Sequence, residues 1–395
     1  MDTKKALLVT TVSGFIPQFE MNNVRLLQSM GYEVHYAANY NTPSYGDDNH
    51  RLDGTGIIRH QIDFVRSPFK PDNLKVYRQL CTLMNSEHFS LVHCHTPMGG
   101  VMARLAAHAT HTGPVIYTAH GFHFFQGAPL VNWCCYYPME NFLSRYTDQQ
   151  ICINQEDYAC AKQHFHARQV DYIPGAGFDL NRIPHMTPYA VQKKKQSLGL
   201  PSGKTIILSS GELIKRKNHE TAIRAIAQLK PSFPDIHYVI CGHGALNEHL
   251  HQLVAELQLG DSVTFLGYRE DMLEVYPCAD IFLFPSFQEG LPMALLEAMA
   301  SGLPVVCSNI RGSRDLMEAD DPAKADTASL LHCKGGIMTA KADDVAACSD
   351  ALRAMLNPPK SLQSMGDANR VRAEKFSSQE VTVRMKAIYQ RISGL

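Results

Sequence analysis

At 395 residues, this chain is long for a single hydrophobic core and points to two domains. With 45% hydrophobic and 19% charged residues it reads as a folded globular protein, and a net charge of −1 gives no overall pull toward nucleic acid or anionic lipid. No apolar run approaches the ~18 residues of a transmembrane helix.

The opening MDTKKALLVTTV is short and β-branched, and reads as a first strand rather than a signal peptide. ALLVTTV (6–12) precedes a helical stretch to Met30, followed by the strand pattern YEVHYAA (32–38). Further strand patterns are LVHCH (91–95), PVIYTAH (114–120), QQICIN (149–154) and VDYIP (170–174). A polar stretch near 181–203 then interrupts the rhythm. It restarts with KTIILSS (204–210), HYVICG (237–242), SVTFLG (262–267), IFLFPS (281–286) and LPVVCS (303–308). Such alternation, with strands apolar on both faces, predicts an α/β fold of two doubly wound, Rossmann-like domains facing a central cleft. The expected domains are 1–175 and 176–377, with a closing helix over VTVRMKAIYQRI (381–392), inside 378–395, packing back on the first. The linker near 175–203 and the C-terminal crossing segment are the expected hinges.

Eleven scattered cysteines without a C-x-x-C pair suit reduced, cytosolic thiols. Nineteen histidines include the H-x-H pairs His93/His95 and His164/His166. Neither pair has a cysteine or carboxylate at zinc-like spacing, so no metal site is expected. No other cofactor is expected either, because the first turn, Ser13-Gly14-Phe15, lacks the G-x-G-x-x-G of a nicotinamide-binding unit.

In doubly wound sheets ligands bind beyond the carboxyl ends of the strands. The loops there include Ser13-Gly14, His95-Thr96-Pro97, His120-Gly121, Gly211 onward, Gly242-His243-Gly244 and Ser286 to Leu291. Lys215, Arg216 and Lys217 precede a helix beginning near Asn218, and cations beside a helix N-terminus make an anion site. Gly290 and Leu291 add backbone donors before a helix opened by Pro292. From Pro292 to Ala300 every residue except Glu297 is apolar. A carboxylate on such a face costs several kcal/mol unless it meets a donor. Carboxylates beside a diphosphate should accept from hydroxyls, which a nucleotide sugar supplies. Glu297 is therefore expected on the ribose and Glu289 on the transferred sugar, the alternative for Glu297 being an ion pair with Arg311 or Arg314. His120, opening an aromatic loop, is open to a structural or a catalytic role.

The E-x7-E block, Glu289 to Glu297 within PSFQEGLPMALLEAMASGLPVV, resembles the family 4 retaining glycosyltransferases. So do G-E-L-x-x-R-K-N-H (211–219) and H-C-H-T-P (93–97). The likeness covers nearly the whole chain, and TAHGFHFFQGAP (118–129) is similar to bacterial members that build capsule, exopolysaccharide or lipid-linked oligosaccharides. The resemblance implies the glycosyltransferase-B fold, and metal-independent, retaining transfer of a hexose or N-acetylhexosamine from a nucleotide sugar, with UDP the expected nucleotide. It puts Arg216 and Lys217 on the diphosphate, Glu297 on the ribose, Glu289 on the hexose and the Gly290-Leu291 backbone near the phosphate. Gly14 is implied near the diphosphate and His120 at the reacting sugar. One departure is Glu212, where many members carry arginine after the loop's glycine.

The implied acceptor is a glycan or a polyprenyl-diphosphate-linked sugar, bound by the first domain, with no nucleic-acid partner. RSPFKPDNLKVYR (66–78) mixes cations with apolar residues and could rest on anionic lipid, as a cytoplasmic protein peripheral on the inner face of the membrane would. Two other functions fit the same residues. One is a nucleotide-sugar epimerase of the same fold; the other, prompted by Glu212, is a catalytically silent nucleotide-sugar-binding subunit.

Overall fold

The computed structural model describes residues 4–44, 49–65, 67, 70–321, 323, 327–357 and 361–394. The chain divides into two compact units, Met1–Gly177 with Ser378–Leu395, and Phe178–Ser377.

The first unit holds strands β1 (Lys4–Val12), β2 (Tyr32–Asn39), β3 (Ile58–Gln61), β4 (Leu91–His95), β5 (Val115–Ala119), β6 (Gln149–Cys152) and β7 (Gln169–Tyr172). They form one sheet in the order β3-β2-β1-β4-β5-β6-β7, every neighbouring pair parallel. β4 and β5 are buried along their whole length because helices cover both faces, which is why LVHCH and VIYTA carry no charged residue and only His93, His95 and Thr118 as buried polar ones. The closing helix Ser378–Ile392 belongs to this unit and buries Val381, Met385, Ile388 and Tyr389, a stripe at helical spacing. The Tyr389 hydroxyl meets His93 Nδ1 at 2.8 Å, and Arg391 donates to Gln149 Oε1 at 2.7 Å.

The second unit repeats the plan with β8 (Thr205–Ser210), β9 (Ile236–Cys241), β10 (Val263–Gly267), β11 (Ile281–Phe284), β12 (Val305–Ser308), β13 (Leu330–Cys333) and β14 (Gly336–Thr339). Its order is β10-β9-β8-β11-β12-β14-β13, with β13 antiparallel to β14. The chain order reverses at β1/β4 in one sheet and at β8/β11 in the other, the points where carboxyl-end loops diverge and leave room for a ligand.

Three strands lie outside the expected set. Residues 58–61 form an exposed edge strand, IRHQ, without the apolar signature of its neighbours. β13 and β14 flank Lys334-Gly335, a turn signal that LLHC and GIMT on either side could have turned into a hairpin prediction. The polar stretch near 181–203 is no bare separator. It carries the helix Pro188–Ser197, capped by Thr187, and is anchored by buried Leu198 and Leu200 and by Lys194 Nζ, 2.6 Å from Asp271 Oδ2. Of its three lysines Lys193 is exposed, while Lys194 turns inward to its carboxylate partners.

Candidate active site

In the second unit three carboxyl-end loops are laced together. Gly211 N–H donates to Cys241 O, Leu213 N–H to His243 O, and Leu246 N–H to Leu213 O, at 2.8–2.9 Å. Gly242 has φ of 153°, and a Cβ there would fall 1.9 Å from the Gly211 carbonyl oxygen, so the loops approach this closely only with glycine. After Leu213 the chain makes one tight turn, Lys215–Lys217, and enters the helix His219–Leu229 through Asn218 in the left-handed region. Asn218 Nδ2 donates to Pro285 O at 2.9 Å and to Ala342 O at 2.7 Å, tying this loop to the one after β11.

That tie brings the predicted cations onto the first carboxylate of the E-x7-E block. Glu289, nearly buried, receives Lys217 Nζ at 2.7 Å and Arg216 Nη1 at 3.0 Å on the same oxygen, Oε1. Arg216 Nη1 also donates to Gln288 O at 3.1 Å, and Lys217 Nζ lies 5.1 Å over the Phe284 ring. From the other side Arg311 Nε donates to the Glu289 carbonyl at 3.1 Å. Lys215 is exposed and apart from this cluster, whereas Glu212 lies 3.9 Å from Arg216 with its side chain largely in solvent. Among the described residues the N–H groups of Gly290 and Leu291 have no hydrogen-bond partner. They stand just before the helix Met293–Ala300, for which Pro292 is the N-cap and not, as expected, the first helical residue.

Glu297 takes its hydrogen bond from the Tyr276 hydroxyl, 3.1 Å away, and not from Arg311 or Arg314. Arg314 is turned to Asn309 Oδ1 at 3.1 Å. Burial holds the Glu297 carboxyl above its ordinary pKa, partly offset by the Tyr276 hydrogen bond and by Arg182. The carboxylate is thus supported by one neutral donor and keeps acceptor capacity for a ligand hydroxyl. Tyr276 was not legible as its partner, since twenty-one positions separate the two and nothing local links them.

In the first unit Gly14 follows β1, and a Cβ there would lie 1.6 Å from Ser44 O, so the turn packs directly on backbone. A wide helical turn, Ile16–Glu20, then delivers a buried carboxylate that the sequence did not announce. Glu20 Oε1 lies 3.5 Å from His120 Nε2 and 3.7 Å from His95 Nδ1, and the two rings meet at 3.1 Å. Burial pushes His120 down to about 4 and Glu20 up to about 8, leaving both groups neutral near pH 7. Among the described residues these three form a group that could hold a metal ion, their ligand atoms all within 4.8 Å of one another. His95 therefore does have a carboxylate neighbour, supplied through space from 75 positions away instead of by local spacing. His120 keeps about a quarter of its side chain exposed and packs edge-on against Phe15, ring centroids 4.9 Å apart.

Of the segment 66–78, Arg66 and Phe69 lie outside the described residues. Lys75 pairs with Asp63 at 2.7 Å and Val76 is fully buried, leaving Leu74 as its exposed apolar side chain. No helix among the described residues is long and apolar enough to cross a membrane.

Two doubly wound sheets, the first wholly parallel and the second parallel except at its β13 edge, with a cation–carboxylate cluster where the second sheet's strands end, are the architecture of the glycosyltransferase-B fold. The match to known proteins is direct. Residues 190–372 fit the family model described as glycosyl transferases group 1, and residues 5–154 that of glycosyl transferase 4-like proteins. EpsD of Bacillus subtilis (strain 168), named as a glycosyltransferase, is 36% identical over 393 residues, covering 98% of this chain and 96% of that one. The Escherichia coli UDP-Gal:alpha-D-GlcNAc-diphosphoundecaprenol alpha-1,3-galactosyltransferase is 27% identical over 321 residues, 79% of this chain and 80% of its own. Among solved structures, Anabaena HepE in complex with UDP and glucose superposes with a TM-score of 0.74 at 18% identity, covering 99% of this chain and 100% of that one. WaaG, a glycosyltransferase involved in lipopolysaccharide biosynthesis, gives 0.72 at 17% identity, covering 99% of this chain and 100% of its own. The chain belongs to the family 4 type of glycosyltransferase and is an enzyme.

Proposed function

We propose that this enzyme transfers a hexose or N-acetylhexosamine, with retention, from a UDP-sugar to a glycan or polyprenyl-diphosphate-linked acceptor in surface polysaccharide assembly. The observation that carries the reading is the convergence of Lys217 and Arg216 on Glu289 Oε1 beside unpartnered Gly290 and Leu291 N–H groups. Cations and free N–H groups suit a departing diphosphate, and Glu289, already neutralised, suits a sugar hydroxyl. Glu297 accepts from the ribose. Diphosphate is a good leaving group, so fixed positive charge stabilises its departure without a strong acid and, in this reading, without a metal ion. As the acceptor hydroxyl attacks the face the diphosphate leaves, a phosphate oxygen takes its proton. Gly14 gives backbone access near the diphosphate, and a neutral His120 can hydrogen-bond the reacting sugar.

The first unit is assigned the acceptor and the second the nucleotide sugar. A cytoplasmic location, at the inner membrane face, follows from a lipid-linked acceptor such as the one in the Escherichia coli relative's name. The test is a panel of nucleotide sugars screened by thermal shift, then transfer to synthetic polyprenyl-diphosphate sugars with the product anomer read by NMR. A stabilising UDP-sugar at about a hundred times its Kd should add ~2.7 kcal/mol. An inverted product, or donor interconversion without any acceptor, would overturn the assignment.

A further inference from the structure

Strands β1, β4 and β5 lie side by side in the first sheet, and the carboxyl end of each supplies one side chain able to bind a metal. His95 is the last residue of β4, His120 follows β5 directly, and Glu20 closes the wide turn after β1. Because β4 and β5 pair in parallel, with His95 opposite Thr118, the two histidines come level. The turn after β1 brings Glu20 onto both.

The spacing of the three is that of a tetrahedron. Zinc holds imidazole nitrogen and carboxylate oxygen at about 2.0–2.2 Å in tetrahedral array, which sets neighbouring ligand atoms about 3.4 Å apart. Here Glu20 Oε1, His95 Nδ1 and His120 Nε2 stand 3.1, 3.5 and 3.7 Å from one another. An octahedral face would need about 3.0 Å on every edge, which only the edge between the histidines approaches.

The surroundings hold this arrangement. Asn23 Nδ2 donates to Glu20 Oε2 and leaves Oε1 turned to the rings. The His95 ring lies on that of His93, centroids 4.1 Å apart, and His93 is itself fixed by Tyr389 and Thr118. Phe15 covers both imidazoles, 4.9 Å from His120 and 5.8 Å from His95. A carboxylate oriented by an amide, under an apolar cover, is the outer shell that orients and tunes a metal centre. Glu20 and His95 are almost wholly buried, whereas His120 is 23% exposed. Solvent thus reaches the group from the His120 side, where a three-ligand zinc site keeps its fourth position.

We propose that Glu20, His95 and His120 form a zinc site in the first unit, and that zinc held there takes His120 Nε2 away from the reacting sugar and inhibits transfer. The site stands on the geometry of this unit alone; the inhibition rests on the sugar contact proposed above for His120. Local spacing gave no carboxylate partner for His95, and the fold supplies it as Glu20.

The test titrates Zn2+ into the metal-free chain against a chromophoric chelator, with Cys134→Ser and Cys135→Ser in place to remove the exposed thiol pair. Glu20→Gln should weaken zinc binding about tenfold or more, since the one anionic ligand is lost, while the metal-free melting temperature stays unchanged. Co2+ on the chain that keeps Glu20 should show the strong visible bands of tetrahedral cobalt, with no sulfur charge-transfer band. Sugar transfer should fall as zinc is added and return with EDTA, and Glu20→Gln should lose that sensitivity. Zinc affinity untouched by Glu20→Gln, or a cobalt spectrum that is octahedral or sulfur-ligated, would overturn the site. Full-rate transfer with the site loaded would overturn the inhibition. The binding arm reads no sugar transfer, so the site and the transfer reaction succeed or fail separately.

Discussion

Lys217 and Glu289 are joined by a 2.7 Å ion pair across 72 positions of sequence, and Arg216 shares the same carboxylate oxygen at 3.0 Å. One carboxylate therefore holds two cations in place, and in the proposed donor site that would lower the reorganisation needed for a diphosphate to bind.

Lys217→Ala should lower kcat by about a hundredfold, or ~3 kcal/mol, with little effect on folding, because Arg216 still pairs with Glu289. Glu289→Ala should be as damaging, since it frees both cations and would remove the proposed contact to the sugar. Steady-state kinetics with thermal denaturation of each variant checks this. A Lys217→Ala enzyme at near-native rate would remove Lys217 from the diphosphate.

Glu297→Gln should weaken UDP binding by about 1.5–3 kcal/mol, the usual range for a hydrogen bond to a charged group. Tyr276→Phe removes the 3.1 Å donor that helps keep Glu297 ionised, so its loss should be smaller and should grow as the pH falls. Calorimetric titration at two pH values separates the two variants. Equal affinity for Glu297→Gln and the native enzyme would break the ribose assignment.

Arg104 is fully buried, pairs with Glu140 at 2.8 Å and lies 4.0 Å over the Tyr117 ring. Arg104→Met leaves Glu140 uncompensated and should cost about 3–5 kcal/mol, whereas Arg104→Met with Glu140→Leu should recover most of it. Urea unfolding followed through Trp133, on the helix that carries Glu140, reports the change.

Acid should destabilise the fold from pH 6.5 downward. Burial lowers His93 to about 3 and His120 and His219 to about 4, so each stays neutral in the fold while the unfolded chain takes up a proton near 6.5. Their contributions are complete above pH 6.5 and are lost as the pH falls toward those values, at ~1.4 kcal/mol per pH unit for each group. Glu20 opposes them. Its folded value, raised to about 8, gives stability that is full below 4.5 and fades as the pH rises toward 8. His219→Gln should flatten the slope between pH 6.5 and 4 by one group's share, as measured by denaturation across that range; an unchanged slope would show that His219 does not titrate this way.

The sheets were legible because a strand buried on both faces is mostly apolar, its few polar residues being ones whose hydrogen bonds can be met inside, as His93 and Ser209 are. LVHCH and IILSS announce themselves for that reason, while the edge strand IRHQ, exposed to solvent, does not. The basic loop, the E-x7-E block and their place at strand ends were equally local, so Arg216, Lys217, Glu289, Gly290, Leu291 and Glu297 could be named as candidates beforehand. The tertiary structure alone decided who meets whom: Lys217 with Glu289, Tyr276 with Glu297, and Glu20 with His95 and His120. Side-chain type and spacing record what a residue needs, a donor for a carboxylate or cover for a ring. Which distant residue supplies it depends on how strands order themselves in a sheet, and that is a global packing result no short window contains.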